Sequence, residues 1–141
     1  MIVPELASPL RRVAAYLVDA LIGGLFISPF LIGMRLTGDW SGNNFDIASF
    51  CAWGVPAWLI YFALLVFLEG TKGATPGKWL LGIRVGDAGS GSTIGWRRDL
   101  ARRLMFWPEA IPFYLGYFWM LWDRRHQAWH DKVVSSVVVR A

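Results

Sequence analysis

Apolar positions in this chain gather into three long runs. Val13 to Met34 is 22 residues with one charge, Asp19; Ile47 to Leu68 is 22 residues with none; Leu104 to Trp122 is 19 residues, with Glu109 inside and Pro108 and Pro112 close to it. At about 1.5 Å per residue the first two predict helices of roughly 33 Å, the length needed to cross a hydrocarbon core of about 30 Å. Asp19 does not prevent insertion. A central Asp costs about 2.5–3.5 kcal/mol, whereas the Leu, Ile, Val and Phe of that run together contribute roughly 3–7 kcal/mol on the same insertion scale. The run is also longer than the roughly 7–15 apolar residues of a cleavable leader and has no small-residue cleavage site, so a retained helix is expected.

Basic residues orient these spans. Arg11 and Arg12 precede the first run, and only Arg35 lies in the short loop of residues 35–46, beside Asp39 and Asp46. Residues 69–103 carry seven, and the tail after Trp122 carries four. The positive-inside rule then predicts a cytoplasmic N-terminus, a cytoplasmic stretch 69–103 and an external short loop. The third run, 104–122, either spans or re-enters. Two prolines, Glu109 and the shorter length favour an interrupted helix with the tail, 123–141, cytoplasmic.

The pattern changes period between the runs. Lys78 to Leu81 follows the turn signal of Gly73-Ala-Thr-Pro-Gly77. Gly82 to Asp87 then alternates, with Ile83 and Val85 on one face, predicting a short strand. Gly89-Ser-Gly-Ser92 is a turn, Gly95 to Arg103 a basic amphipathic helix, and the β-branched run Val133 to Arg140 a partner strand for Gly82–Asp87. The expected fold is therefore an all-α membrane protein, two transmembrane helices plus a third re-entrant or spanning segment, with a small cytoplasmic two-stranded β element. All 141 residues form a single domain.

Composition agrees. Hydrophobic residues make up 55% and charged residues 17%, with nine Trp and a single cysteine. Soluble domains carry about 25% charge. This excludes disorder, a collagen-like repeat, a disulfide-stapled domain and an ordinary soluble enzyme. Seven of the nine Trp lie outside the runs or within four residues of an end, where interfacial anchoring places them. The net charge of +4 suits anionic lipid headgroups. Cys51, within the second run, reads as a small packing residue.

Arg12 and Asp19 lie two helical turns apart and share one face. An acid that deep must face protein or water. It reads equally as a titratable carboxylate on a proton or cation path and as a structural ion pair. Ala20, Gly24 and Ser28 recur every fourth position, which lets a second helix approach closely.

Arg12-Val-Ala-Ala-Tyr-Leu-Val-Asp19 resembles the first-helix signature of the RDD family of small bacterial membrane proteins, named for one arginine and two aspartates. The resemblance continues through Gly73-Ala-Thr-Pro-Gly77-Lys78-Trp-Leu-Leu-Gly82-Ile-Arg84-Val85, Arg98 to Arg102, and Gln127-Ala-Trp-His130-Asp131. It implies that Arg12 is the family arginine, Asp19 the first aspartate and Asp131 the second, with Asp87 as the competing match. It also implies transport of a small ligand, cation–proton exchange being its most concrete form.

Other signals are weaker. Gly77-Lys78 lacks both the upstream Gly and the following Ser or Thr of a phosphate loop, so no nucleotide cofactor is expected. His126 and His130, four apart, could share a metal with Asp131 beside them. No further ligand cluster supports that, and the bland reading is a contact docking the tail on the cytoplasmic end of the first helix. No module for nucleic acid is present, and no nucleophile with a base suggests an enzyme. Glu69 reads as a solvated ion pair with Lys72 or Lys78, and Glu109 either faces Asp19 or sits at a helix end. The candidate polar network is thus Arg12, Asp19, Asp131 and His130, supported by Glu69, Lys78, Arg84, Arg102 and Glu109. Two functions follow. Transport that uses Asp19 leads, and it requires self-association or a partner, since two or three helices are too few to enclose a polar path. The alternative is an accessory protein whose buried Arg–Asp network docks a membrane partner.

Overall fold

The computed structural model describes residues 5–37, 46–110, 113 and 115–141. It divides into two compact units, residues Ala20–Leu65 and residues Met1–Asp19 with Val66–Ala141.

Helix α1 runs Pro9–Thr37, beyond the expected 13–34 at both ends. Hydropathy stops at Arg12, but the helix starts at a proline, whose missing N–H is no loss in a first turn, while the Ser8 hydroxyl accepts from the Arg11 amide at 3.4 Å. Pro29 lies inside α1 and gives no N–H to the Leu25 carbonyl; Ser28 Oγ donates to that carbonyl instead, at 2.8 Å. The second helical run comprises α2 (Ile47–Ser49), a π-helical turn (Phe50–Gly54) and α3 (Val55–Lys72). Asp46 caps it, accepting from Ala48 and Ser49 amides at 3.1 and 3.3 Å. It stops at Gly73, whose φ of +75° is the left-handed stop glycine favours, four residues later than the apolar run. The stretches Pro9–Leu36 and Ile47–Lys72 are long and apolar enough to cross a membrane, and only 17% of the most apolar part of each is buried.

Within residues 20–65, helix approach uses a different face from the one the spacing suggests. A Cβ on Gly23 would lie 2.6 Å from the Tyr61 ring and one on Gly33 3.4 Å from Trp53, while nothing lies within 4 Å of Gly24. Ala20 and Gly24 are exposed. The ladder Ala20, Gly24, Ser28 therefore does not meet the second helix: large rings at Tyr61 and Trp53 need the room that Gly23 and Gly33 leave, and the Phe26 ring lies tilted against Tyr61, 5.6 Å between centroids. Cys51 is exposed rather than packed.

The other unit holds the mixed structure. Helix α4 (Pro76–Leu80) opens with Thr75 as N-cap and a proline in its first turn. Strand β1 (Ile83–Asp87) pairs antiparallel with β2 (Ser136–Arg140), Ile83 opposite Arg140 and Asp87 opposite Ser136, as the alternation predicts. The sequence reading missed a third member. Leu6 bridges to Val139, with the Ala7 amide on the Val138 carbonyl at 2.9 Å and the Arg140 amide on Glu5 at 2.8 Å. Ala7, Ala15, Ile83, Val85, Ile94 and Val138 form the core beneath.

The third apolar run is broken. Helix α5 (Gly95–Ala110) carries the basic segment straight into it; α6 (Leu115–Phe118), a 3-10 turn (Trp119–Leu121) and α7 (Trp129–Val133) follow. Among the described residues no single helix fills 104–122. Pro112 and the side chain of Glu109 lie outside the described residues, as does the expected Glu109–Asp19 approach. Close contact at the start of α5 depends on Gly70, where a Cβ would fall 2.4 Å from the Trp96 Cα.

Candidate functional site

Charged side chains of this second unit collect inside it. Arg12 of α1 donates to the His126 carbonyl and to Asp131 Oδ2. Arg102 of α5 donates through Nε to Asp131 Oδ1 at 2.7 Å and places Nη1 3.1 Å from Glu69 Oε1. Glu69, in the last turn of α3, also receives Lys78 of α4 and Arg103 of α5. Arg103 Nε donates in turn to Asp99 Oδ2 at 2.8 Å. Glu69, Asp99 and Asp131 are fully buried, and Arg12 and Arg102 nearly so. With Asp19, these are four carboxylates and four cations from five helices.

Asp131 is the most heavily held. It is the third residue of α7, and its carboxylate accepts from the Ala128 amide at 3.3 Å, closing the first turn. Ser136 Oγ adds a contact at 3.3 Å and His130 Nε2 lies at 3.4 Å. Burial raises the carboxyl's proton affinity, but the guanidiniums of Arg12 and Arg102 outweigh it and hold Asp131 well below the usual carboxylate range. The same burial opposes charge on Arg102, which Asp131 and Asp99 more than restore. Lys78 moves the other way, pushed well below the usual lysine range by burial and by the charges of Arg102 and Arg103. One atom is less well served: Asp99 Oδ1 is buried without a hydrogen bond, with Arg102 Nη1 3.6 Å away.

Asp19 takes up a different task. Thr75 Oγ1 donates to it at 2.5 Å and the Gly77 amide at 2.7 Å, so the carboxylate ties α1 to the first turn of α4. Gly77 is required there. A Cβ would stand 2.2 Å from the Ala15 carbonyl and 2.9 Å from the Asp19 carboxyl. Arg12 and Asp19, on one face of α1 as expected, thus reach Asp131 and the Thr75–Gly77 turn respectively.

Of the residues singled out from sequence, Arg12, Asp131, Arg102, Lys78 and Glu69 come together, with His130 at the edge between the Phe106 and Tyr117 rings. Glu69 pairs with Lys78, one of its two expected partners, but it is buried under three cations rather than solvated, because α5 packs over the end of α3. Arg84 stays apart, donating to the Gly91 carbonyl at 3.1 Å. His126 Nδ1 sits 3.1 Å from the Met120 carbonyl, turned to backbone. Asp87 is the last residue of β1, facing the exposed turn, where the Ser90 amide, Arg98 and the Gly89 amide keep it ionised. Sequence reasoning missed Asp99, Arg103, Thr75 and Gly77. Asp99, Arg102 and Arg103 stand at i, i+3 and i+4, one face of a helix, and that spacing was the available signal.

Residues 6–135 match the RDD family, nearly the whole chain. The chain belongs to the RDD family. Among curated relatives, a protein named proline-rich antigen homolog from Mycobacterium tuberculosis, strain H37Rv, is 28% identical over 69% of this chain and 46% of its own length. Proline-rich antigen of Mycobacterium leprae is 24% identical over 89% of this chain and 57% of its own. The RDD chain therefore spans about half the length of the curated relatives it matches. No solved structure matches it.

Proposed function

We propose that this RDD protein is a multi-pass protein of the cell membrane that acts as an assembly module, with its buried network rigidifying a surface that docks a membrane partner or further copies of itself. The observation that carries this reading is the pairing itself. Asp19, Glu69 and Asp131 each take a cation or donor from another segment, Asp99 pairs with Arg103 one turn along α5, and the four charges of each sign balance. Such a network holds geometry, because removing one partner strands a buried charge at a cost of about 3–5 kcal/mol. In this reading the N-terminus, the small sheet and the tail are cytoplasmic, and the basic residues meet anionic headgroups. The protein is not an enzyme.

Cation or proton exchange is the second reading, and one feature favours it: Asp19, inside an apolar helix, acts on the charge of Arg103, whose ion pairs lead through Glu69 and Arg102 to Asp131. Asp19→Asn separates the two when cation-driven proton flux in proteoliposomes and native-gel assembly are compared at matched insertion. The assembly reading expects weakened assembly and no flux in either protein. Flux that the wild type supports and the mutant loses, with assembly intact, would overturn it.

A further inference from the structure

Helix α5 is inside out. One arc carries Met105, Arg98, Arg102, Phe106, Asp99 and Arg103; it holds Asp99, Arg102 and Arg103 in the network and Arg98 on the Val134 carbonyl and Asp87. The opposite arc carries Trp96, Leu104 and Trp107, 52%, 54% and 62% exposed, with Ala101 and Pro108 exposed beside them. A helix covered by water would be arranged the other way round. At 16 residues, or about 24 Å, α5 is too short to cross a core of about 30 Å. Its depth is set by its ion pairs. Arg102 and Arg103 both bind Glu69, three residues before α3 ends at Lys72, which places α5 beside the end of an apolar helix. Ring residues with a polar edge suit that level, and Arg97, stacked 5.3 Å from the Trp96 ring, has the reach to meet a phosphate.

We propose that α5 lies in the plane of the membrane, its Trp96–Leu104–Trp107 arc sunk among the acyl chains and headgroups of a lipid bilayer and its charged arc turned into the protein. This rests on the membrane reading above and adds a third, non-spanning attachment. The sequence choice between a spanning and a re-entrant segment then applies only to residues beyond α5.

Spin labels test it in the full chain reconstituted in phosphatidylethanolamine–phosphatidylglycerol vesicles, on a Cys51→Ala background. Ala101→Cys and Leu104→Cys are compared with Leu25→Cys in α1 and Ser90→Cys in the β1–α5 turn. The expected result is that labels at 101 and 104 collide more with oxygen than with a water-soluble nickel chelate, at a shallower depth than 25, with the ratio reversed at 90. Nickel-accessible labels at 101 and 104 beside an oxygen-accessible 25 overturn the proposal and leave the membrane reading standing. Shielding from both reagents overturns it in favour of a protein partner, and a depth equal to 25 in favour of a span. A nickel-accessible 25 overturns both readings.

Discussion

The two units solve the same packing problem with opposite materials. In residues 20–65 a glycine makes room for a ring: Gly23 receives Tyr61, and the Phe26 ring packs at a tilt against the same ring. In the other unit a glycine makes room for backbone and charge: Gly77 lets α4 approach the Ala15 carbonyl and hand its amide to Asp19. A ring on a flexible side chain can shift when crowded, whereas a carbonyl of α1 and a buried carboxylate cannot. The first interface is therefore tolerant and the second is close to all-or-none.

Asp131→Asn should open the widest gap between them. It leaves Arg12 and Arg102 buried against a neutral amide, and an unfolding experiment in detergent is expected to show a loss of about 3–5 kcal/mol. The same residue sets an acid limit. Its folded proton affinity is depressed, so its contribution is complete above the ordinary carboxylate range and is lost as pH falls through the folded value. Stability should be flat from pH 7 to about 5 and decline below about 4, and that acid limb should shrink in Asp131→Asn. Gly77→Ala comes next, with about 1–3 kcal/mol from overpacking against backbone. Gly23→Ala should cost less, about 1 kcal/mol, and Tyr61→Leu should restore part of it by removing the ring; no such rescue is expected for Gly77→Ala with any neighbouring side-chain truncation. The smallest effect belongs to Asp87→Asn, which should leave the melting temperature unchanged because its turn and Arg98 contact are exposed. A melting temperature that fell as far as in Asp131→Asn would erase the distinction between the two candidate aspartates.

Local pattern carried much of this fold and little of its site. The two apolar helices and the β1–β2 pair were legible because a run of 22 apolar residues and a period-two alternation each dictate one element. The Leu6 bridge to β2 was not, since a three-residue edge has no period to read. Amphipathicity revealed that α5 has a charged stripe but not that the stripe faces inward; burial direction depends on what lies outside the helix. The partnership of Arg12 with Asp131, across almost the whole chain, leaves no trace in spacing. It surfaced only because the family resemblance put both residues among the candidates. Glu69 misled for the same reason: its nearest charges in sequence are lysines, and two of its three cations come from α5.

The joint between α1 and α7 is the part on which the rest depends, and a double-mutant cycle reads it directly. Unfolding free energies of the full chain in one detergent are measured for wild type, Arg12→Gln, Asp131→Asn and the double variant. A coupling of about 1–3 kcal/mol is expected, the double variant costing less than the two single losses added together. Losses that add to within about 0.5 kcal/mol would mean that the two charges do not hold the chain ends to each other, and the network would no longer explain why α5 turns its charges inward.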